Sequence, residues 1–318
     1  SYSVTGVQTC ALPIYRSLPL TALNLPPDFL HNIHNAFGEA GRRWLAELPS
    51  LLEEAARKWD LTLGEPLLLS YNYVCAAQRA DGSEVVLKLG VPNRELLSEL
   101  NALRLFAGEG ACRLLEADEG RSMFLLERLR PGEMLVKVEN DDERTHIAVD
   151  VMQRIWRAPS QAEGFIQLCE WFAALDGLRP RYQGGTGPFP RRLVERVEST
   201  LPELFADSGP PVLIHGDFHH FNILSSERGW LVIDPKGVIG PPGYEVGPLL
   251  TNPIPDWPYR PESKRQTERR IAILSERLGW PRQVIRDWGI CHCLLSAWWD
   301  LTPEDTGIEY SLACAELL

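Results

Sequence analysis

Three oxygen-bearing side chains, Asp217, Asn222 and Asp234, fall in the stretch VLIHGDFHHFNILSSERGWLVIDP, which runs from Val212 to Pro235. An apolar run enters a polar turn, Ile223 and Leu224 leave it, and SSERG reverses the chain into a third apolar run ending at Asp234. The spacing predicts strand, loop and hairpin, with Asp217 and Asn222 in the loop and Asp234 at the end of the hairpin's second arm. Two carboxylates and an amide aimed at one point suit phosphoryl transfer from ATP. Magnesium is a hard ion that takes oxygen ligands and keeps several of its waters, so one carboxylate and one amide suffice from the protein. The remaining carboxylate can then stand beside an attacking hydroxyl, orient it and receive its proton. A turn pair that bonds its own backbone is the plainer alternative for Asp217 and Asn222, but it leaves Asp234 without a purpose.

The order Asp217, four residues, Asn222, then Asp234 closing a hairpin resembles the catalytic loop and metal-binding aspartate of kinases. HGDFHHFN, with Gly216 where protein kinases carry Arg, looks like the aminoglycoside phosphotransferase branch of the kinase-like superfamily. The longer run HGDFHHFNILSSERGWLVIDPKGVIG is similar to its streptomycin (aminoglycoside 6-) phosphotransferases and hydroxyurea kinases, and the resemblance reaches more thinly from about Leu67 to the C-terminus. It implies an α+β, two-lobed protein-kinase-like fold with an antiparallel-sheet N-lobe and a mainly helical C-lobe. It also implies ATP, or GTP in its place, with Mg²⁺; Asp217 as the catalytic residue; and Asn222 and Asp234 as metal ligands.

Composition is ordinary for a globular chain: of 318 residues, 44% are hydrophobic and 24% charged, enough for two packed lobes. The net charge of −11 and the lack of a basic cluster count against a nucleic-acid partner and favour a cationic small molecule. Seven cysteines without framework spacing point to a reducing compartment, the cytoplasm. Cys291 and Cys293 would face different sides of a helix, which argues against a metal site there. No apolar run approaches the ~20 residues needed to span a bilayer. Oligomeric state has no signature in the sequence.

Val4 to Ile14, VTGVQTCALPI, matches one reading frame of a common sequencing adapter, and residues 1–14 are therefore expected to be a non-native leader outside the fold. Residues 15–128 are expected to form the N-lobe with a helical preface, and 129–318 the C-lobe. Leu45, Leu48, Leu52, Ala55 and Trp59 recur at helical steps within the preface from Pro27 to Trp59, with Pro49 as a kink or new start. Leu67 to Leu89 reads as a strand hairpin turning at Asp81-Gly82, with Lys88 late in its second arm. A lysine among Val85, Val86, Leu87 and Leu89 is either an edge gatekeeper or a buried cation in need of an anion. Asn93 can cap a helix that carries Glu99 beside its apolar face. Lys88 with Glu99 resembles the lysine and glutamate that hold nucleotide phosphates in kinases, Glu95 being the rival for the second role. The turn Ser70 to Tyr73 has no glycine, but Ser70 is a candidate phosphate contact. Backbone from Glu127 to Leu129 would offer its polar groups to the adenine.

In the C-lobe, helices are expected around Ile147–Ile155, over Phe165–Leu178 and over Pro190–Ala206, with Trp156, Trp171 and Phe172 as core. His215 reads as a structural residue bonding loop backbone. After Asp234, PKGVIGPPGYEVG reaches Glu245 in 11 residues, too short for a phosphorylated activation loop. Glu245 stands where related kinases brace the catalytic loop with Asp, a solvated turn being the alternative. GICHCLLSAWWDLTPED resembles the C-terminal helix of the streptomycin branch, which makes Asp300, Glu304 and Asp305 candidate contacts for a cationic substrate; solvated helix ends are the alternative.

The chain contains neither G-x-x-x-x-G-K-[ST] nor the protein-kinase G-x-G-x-x-G, so a Walker-type site is excluded. Three other readings remain open at this point. The substrate is another small hydroxyl metabolite; the chain is a nucleotide-binding pseudokinase; or His215, His219, His220 and Asp217 form a metal-dependent hydrolase, which explains neither Asn222 nor Lys88.

Overall fold

The computed structural model describes residues 23–159, 162–207 and 209–318. The leader at 1–14, with Cys10, lies outside the described residues. The described residues divide into two compact units, one comprising 23–92 and 115–128, the other 93–114 and the described residues from 129 to 318. Residues 93–114, assigned from sequence to the first lobe, thus group with the second unit.

In the first unit, helix α1 (Pro27–Trp59) packs on a sheet of β1 (Leu61–Pro66), β2 (Asn72–Arg79), β3 (Glu84–Gly90), β4 (Leu114–Asp118) and β5 (Met123–Glu127), in the order β1-β2-β3-β5-β4. The β1–β2, β2–β3 and β3–β5 pairs are antiparallel. The helical stripe buries Leu48, Leu52, Ala55 and Trp59 against Cys75, Leu87 and Leu89 of the sheet. Two local expectations differ. The break in α1 falls at Gly38, where φ is +53°, and not at Pro49; burial of Leu48, Leu51 and Leu52 holds the helix through the proline. Residues 67–71 are loop, and the strand that precedes β2 is β1.

In the second unit, α2 (Arg94–Phe106) is capped by Asn93, whose side chain accepts from Leu96 N–H. β6 (Pro131–Met134) and α3 (Asp141–Ile155) follow. The single helix expected over Phe165–Leu178 is instead β7 (Ile166–Gln167), α4 (Leu168–Ala173), a 3₁₀ turn and α5 (Leu178–Arg181). Ile166 is claimed by sheet pairing with Val238, which cuts the helical period short. α6 (Arg191–Asp207) leads to β8 (Val212–Ile214), β9 (Ile223–Ser226), β10 (Gly229–Val232) and β11 (Val238–Gly240). Helices α7 (Val246–Leu250), α8 (Ser263–Leu278), α9 (Arg282–Asp300) and α10 (Glu309–Ala315) complete the unit. Its strands form two three-stranded sheets, β10-β9-β6 and β7-β11-β8. The antiparallel sheet of the first unit and the helical second unit meet the expectation of an α+β, kinase-like chain.

α2 is bound to the strand region by its own polar groups. Ser98 Oγ donates to Gly237 C=O and accepts from Ile166 N–H at 3.0 Å. Past the helix, Cys112 N–H donates to Val232 C=O and Val232 N–H to Gly110 C=O, each at 2.9 Å. Gly237 has φ of +66°, and a Cβ there would lie 2.3 Å from the Ser98 carbonyl oxygen. Gly237→Ala is therefore expected to destabilise the protein by about 1–3 kcal/mol or more, read as a lower urea midpoint at unchanged slope.

Candidate active site

Two short ladders fix both ends of the loop that carries Asp217. β9 pairs with β10, Ile223 opposite Val232, and Ile233 N–H extends that ladder to Asn222 C=O at 2.9 Å. β8 pairs with β11, Ile214 opposite Val238, and Lys236 N–H donates to His215 C=O at 2.7 Å. The loop 215–222 and the segment 233–237 are thereby laced together at both ends. Asp234 sits in that segment with φ of +58°, a left-handed conformation that costs an ordinary residue on the order of 1–3 kcal/mol.

Inside the loop the polar groups are matched one by one. Asn222 Nδ2 donates to Asp217 C=O at 3.0 Å and approaches Asp217 Oδ2 at 3.4 Å. With its amino group so engaged, the amide leaves Oδ1 as an oxygen donor for a cation. His219 Nε2 lies 3.4 Å from Asp217 Oδ1. His215 is fully buried; Asp217 N–H donates to its Nδ1 at 3.2 Å, so its Nε2 carries the proton and donates to Ile233 C=O at 2.9 Å. That imidazole thus bonds both laced segments. Burial pushes its pKa down to about 4, against the pull of Asp217 and Asp234. Glu245, also fully buried, accepts from His215 N–H at 3.1 Å and Gly216 N–H at 2.8 Å. Burial pushes its carboxyl up to about 8 in spite of those donors.

Asp217 keeps 38% of its side-chain exposure. Burial pushes its pKa up, but His219, Lys236 and His215 together outweigh it and hold the carboxyl well below the usual carboxylate range. It is ionised, as a proton acceptor must be. The free amide oxygen of Asn222 and the carboxylate of Asp234, borne by the segment laced to this loop, are oxygen donors of the kind that a magnesium ion takes. Among the described residues no group of three or more His, Cys, Asp or Glu side chains is placed to hold a metal, which removes the support for a zinc-hydrolase cluster. His220 in particular is fully buried, and neither ring nitrogen has a partner among the described residues.

The other candidates are distributed as follows. Lys88, 4% exposed, lies on β3 opposite Val74 and Phe124, in the middle of the sheet and not at an edge, so the gatekeeper reading fails. Glu99, 5% exposed, is on α2 in the other unit. Ser70 is exposed, its carbonyl accepting from Asn32. Glu127 ends β5, and Leu129 is buried at the start of the second unit's second segment. Asp305 accepts from Arg181 at 2.8 Å and from the Tyr182 hydroxyl at 2.6 Å, Glu304 is exposed, and Asp300 ends α9.

Sequence reasoning missed Lys236, Tyr244 and His292, and placed Trp171 in the core, against which it packs, without its contact to the loop. Trp171, expected as core, has its ring tip 3.0 Å from where a Gly216 Cβ would lie, and it packs edge-on against Tyr244. No periodicity marks such a residue; only the glycine before Asp217, which a side chain would force away from the indole, hints at it.

The fold and this site define a kinase-like phosphotransferase. The chain matches the family model described as aminoglycoside/hydroxyurea antibiotic resistance kinase over residues 64–303. It is 33% identical over 290 residues to streptomycin 6-kinase of Streptomyces glaucescens, covering 90% of this chain and 94% of that one. To hydroxyurea phosphotransferase of Kitasatospora aureofaciens it is 33% identical over 289 residues, 88% of this chain and 82% of the relative. A solved aminoglycoside phosphotransferase, APH(4)-Ia in a ternary complex with ADP and hygromycin B, shares the fold at a TM-score of 0.55 and 16% identity, covering 83% of this chain and 96% of that one. The chain belongs to the family of aminoglycoside/hydroxyurea antibiotic resistance kinases.

Three histidines of the second unit set a pH dependence. His215 and His292 have folded pKa values lowered to about 4 from 6.5, and His220 is lowered further, so on acidification the unfolded chain takes up these protons first. Stability should fall as pH drops from about 6.5 toward 4. Glu245, with its raised pKa, acts in the opposite sense between about 4.5 and 8, one proton against three. Urea midpoints that stay flat or rise on acidification across this range would contradict the lowered histidine pKa values.

Proposed function

We propose that this chain transfers the γ-phosphoryl group of ATP to a hydroxyl of an aminoglycoside of the streptomycin type, with Mg²⁺. The observation that carries the reading is the pairing of Asn222 with Asp217, the amide turned toward Asp217 and its oxygen left over, beside the laced segment bearing Asp234. In this reading Asp217 accepts a hydrogen bond from the acceptor hydroxyl. As the oxygen bonds to the γ-phosphorus, the bond from that phosphorus to the β,γ-bridging oxygen breaks, ADP leaves, and the hydroxyl proton passes to Asp217. Asn222 and Asp234 would hold the metal, which when bound neutralises charge on the nucleotide phosphates. Lys88, a buried cation on a central strand, is assigned to those phosphates. His215 and Glu245 position the loop and touch no reactant. The net charge of −11 favours a cationic acceptor. The cytoplasm, where ATP and reduced thiols coexist, is the compartment this chemistry requires. Hydroxyurea is the second acceptor, because the hydroxyurea relative shares the same 33% identity with this chain as the streptomycin one.

The test is Mg·ATP-dependent phosphorylation of streptomycin, hydroxyurea, kanamycin and choline. Streptomycin turnover with no reaction on choline is expected, and nucleotide binding without phosphorylation of any acceptor would indicate a pseudokinase. Asp217→Asn should lower kcat by at least ~10²–10⁴-fold, while Lys88→Met should raise the KM for ATP more than that for the acceptor. Near-normal turnover by Asp217→Asn would refute the role given to that carboxylate.

A further inference from the structure

Helix α9 carries a polar stripe on an otherwise buried element. Cys291, Cys293, Leu294, Leu295 and Ala297 are packed away, whereas His292, Ser296, Trp299 and Asp300 recur at steps of four, three and one and so share one side of the helix. At one end of the stripe, His292 Nδ1 and the Tyr244 hydroxyl are 3.1 Å apart. Tyr244 is fully buried, and this is the one partner its hydroxyl has among the described residues. A buried hydroxyl that failed to donate would leave its proton unsatisfied, so Tyr244 O–H donates and Nδ1 accepts. The imidazole proton is thereby locked on Nε2. That nitrogen has no partner among the described residues and, unlike the ring nitrogens of His220, is not sealed from solvent.

Packing connects His292, through Tyr244, to the loop that carries Asp217. Tyr244 immediately precedes Glu245, whose carboxyl group accepts from the backbone N–H groups of His215 and Gly216. The Tyr244 ring packs edge-on against Trp171, and Trp171 lies against Gly216, the residue before Asp217. Burial lowers the His292 pKa to about 4 against the pull of Asp217, so the ring is a neutral donor in the field of that carboxylate. At the far end of the stripe, Trp299 is 47% exposed and edge-on to Trp171 at 5.3 Å. Asp300 beside it accepts only a 3.5 Å bond from Ser296 and pairs with no cation among the described residues. Eight residues of helix separate His292 from Asp300, about 12 Å at 1.5 Å per residue.

We propose that His292, its proton locked on Nε2 by Tyr244, binds an oxygen of the acceptor next to the attacking hydroxyl, and that the α9 stripe out to Trp299 and Asp300 forms the wall along which the acceptor lies. The inference rests on the phosphotransfer reading and adds a length requirement. The wall suits a polyhydroxylated molecule whose cationic group stands about 12 Å from the reacting hydroxyl, with the indole and carboxylate receiving that cation. Hydroxyurea reaches His292 alone.

Steady-state kinetics with streptomycin and with hydroxyurea test this on wild type, His292→Phe, His292→Gln, Tyr244→Phe and Asp300→Asn, with the KM for ATP and the thermal midpoint as controls for folding. Loss of one neutral hydrogen bond should raise the acceptor KM about tenfold in His292→Phe, leaving the KM for ATP in place. His292→Gln, which restores an N–H donor, should recover part of that loss, and Tyr244→Phe should show a smaller rise. Asp300→Asn should raise the KM for streptomycin and leave that for hydroxyurea unchanged. An unchanged acceptor KM in His292→Phe, a parallel rise in the KM for ATP, or an equal response of both acceptors to Asp300→Asn would overturn the proposal. If wild type phosphorylates no acceptor, the phosphotransfer reading fails on its own, and calorimetric binding of streptomycin decides the role of His292: equal affinity in wild type and His292→Phe overturns it.

Discussion

The lacing of loop 215–222 to segment 233–237 is the constraint on which the site depends. Asn222 C=O, His215 C=O and the His215 ring receive or make the bonds that close it, to Ile233 N–H, Lys236 N–H and Ile233 C=O. Each is an ordinary hydrogen bond worth only about 1 kcal/mol net. Together they over-determine the backbone, which is how Asp234 is kept in a left-handed conformation it would not choose. A hairpin alone would leave the Asp217 loop free to swing; the second ladder, β8 with β11, ties down its other end.

The polar groups around this lacing are buried, and burial makes them rigid as well as costly. Glu245 and His215 sit at zero exposure, where a charge without compensation would be penalised by several kcal/mol. The site answers by neutralising some groups and pairing others. His215 stays neutral and uses both ring nitrogens, and Glu245 spends its oxygens on two backbone N–H groups. Asp217, left partly exposed among His219, Lys236 and His215, is the carboxylate that remains ionised. Farther out, Arg270 binds Asp141 and two backbone carbonyls while stacking on Trp257 at 3.8 Å, so the helices beneath the loop are joined by a buried ion pair instead of by apolar contact alone. Removal of either partner would leave an uncompensated buried charge, at a cost of about 3–5 kcal/mol.

The strand–loop–hairpin around Asp217 was legible because apolar runs and turn residues alternate there without conflict, and the same held for the stripe of α1 and the Asn93 cap. Local pattern failed where a tertiary demand overrode it. Phe165 to Leu178 has helical spacing, yet β11 recruits Ile166 into a sheet. Pro49 is the usual helix breaker, yet Gly38 is where the backbone leaves the helical region. Tyr244 and His292, which escaped notice, and Trp171, read only as core, lie far from Asp217 along the chain and carry no spacing relation to it. Their roles come from packing around Gly216, which no period in the sequence encodes. Asp300 and Asp305 look equivalent as letters, but only Asp305 is engaged by Arg181 and Tyr182.

The proposed division of labour, with Asn222 and Asp234 as metal ligands and Asp217 as proton acceptor, can be read by metal binding without turnover. Electron paramagnetic resonance of Mn²⁺ titrated into the protein with a non-hydrolysable ATP analogue should show a bound signal in wild type and in Asp217→Asn, and a weakened one in Asn222→Ala and Asp234→Asn. Manganese bound equally by all four proteins, or lost only with Asp217, would contradict it.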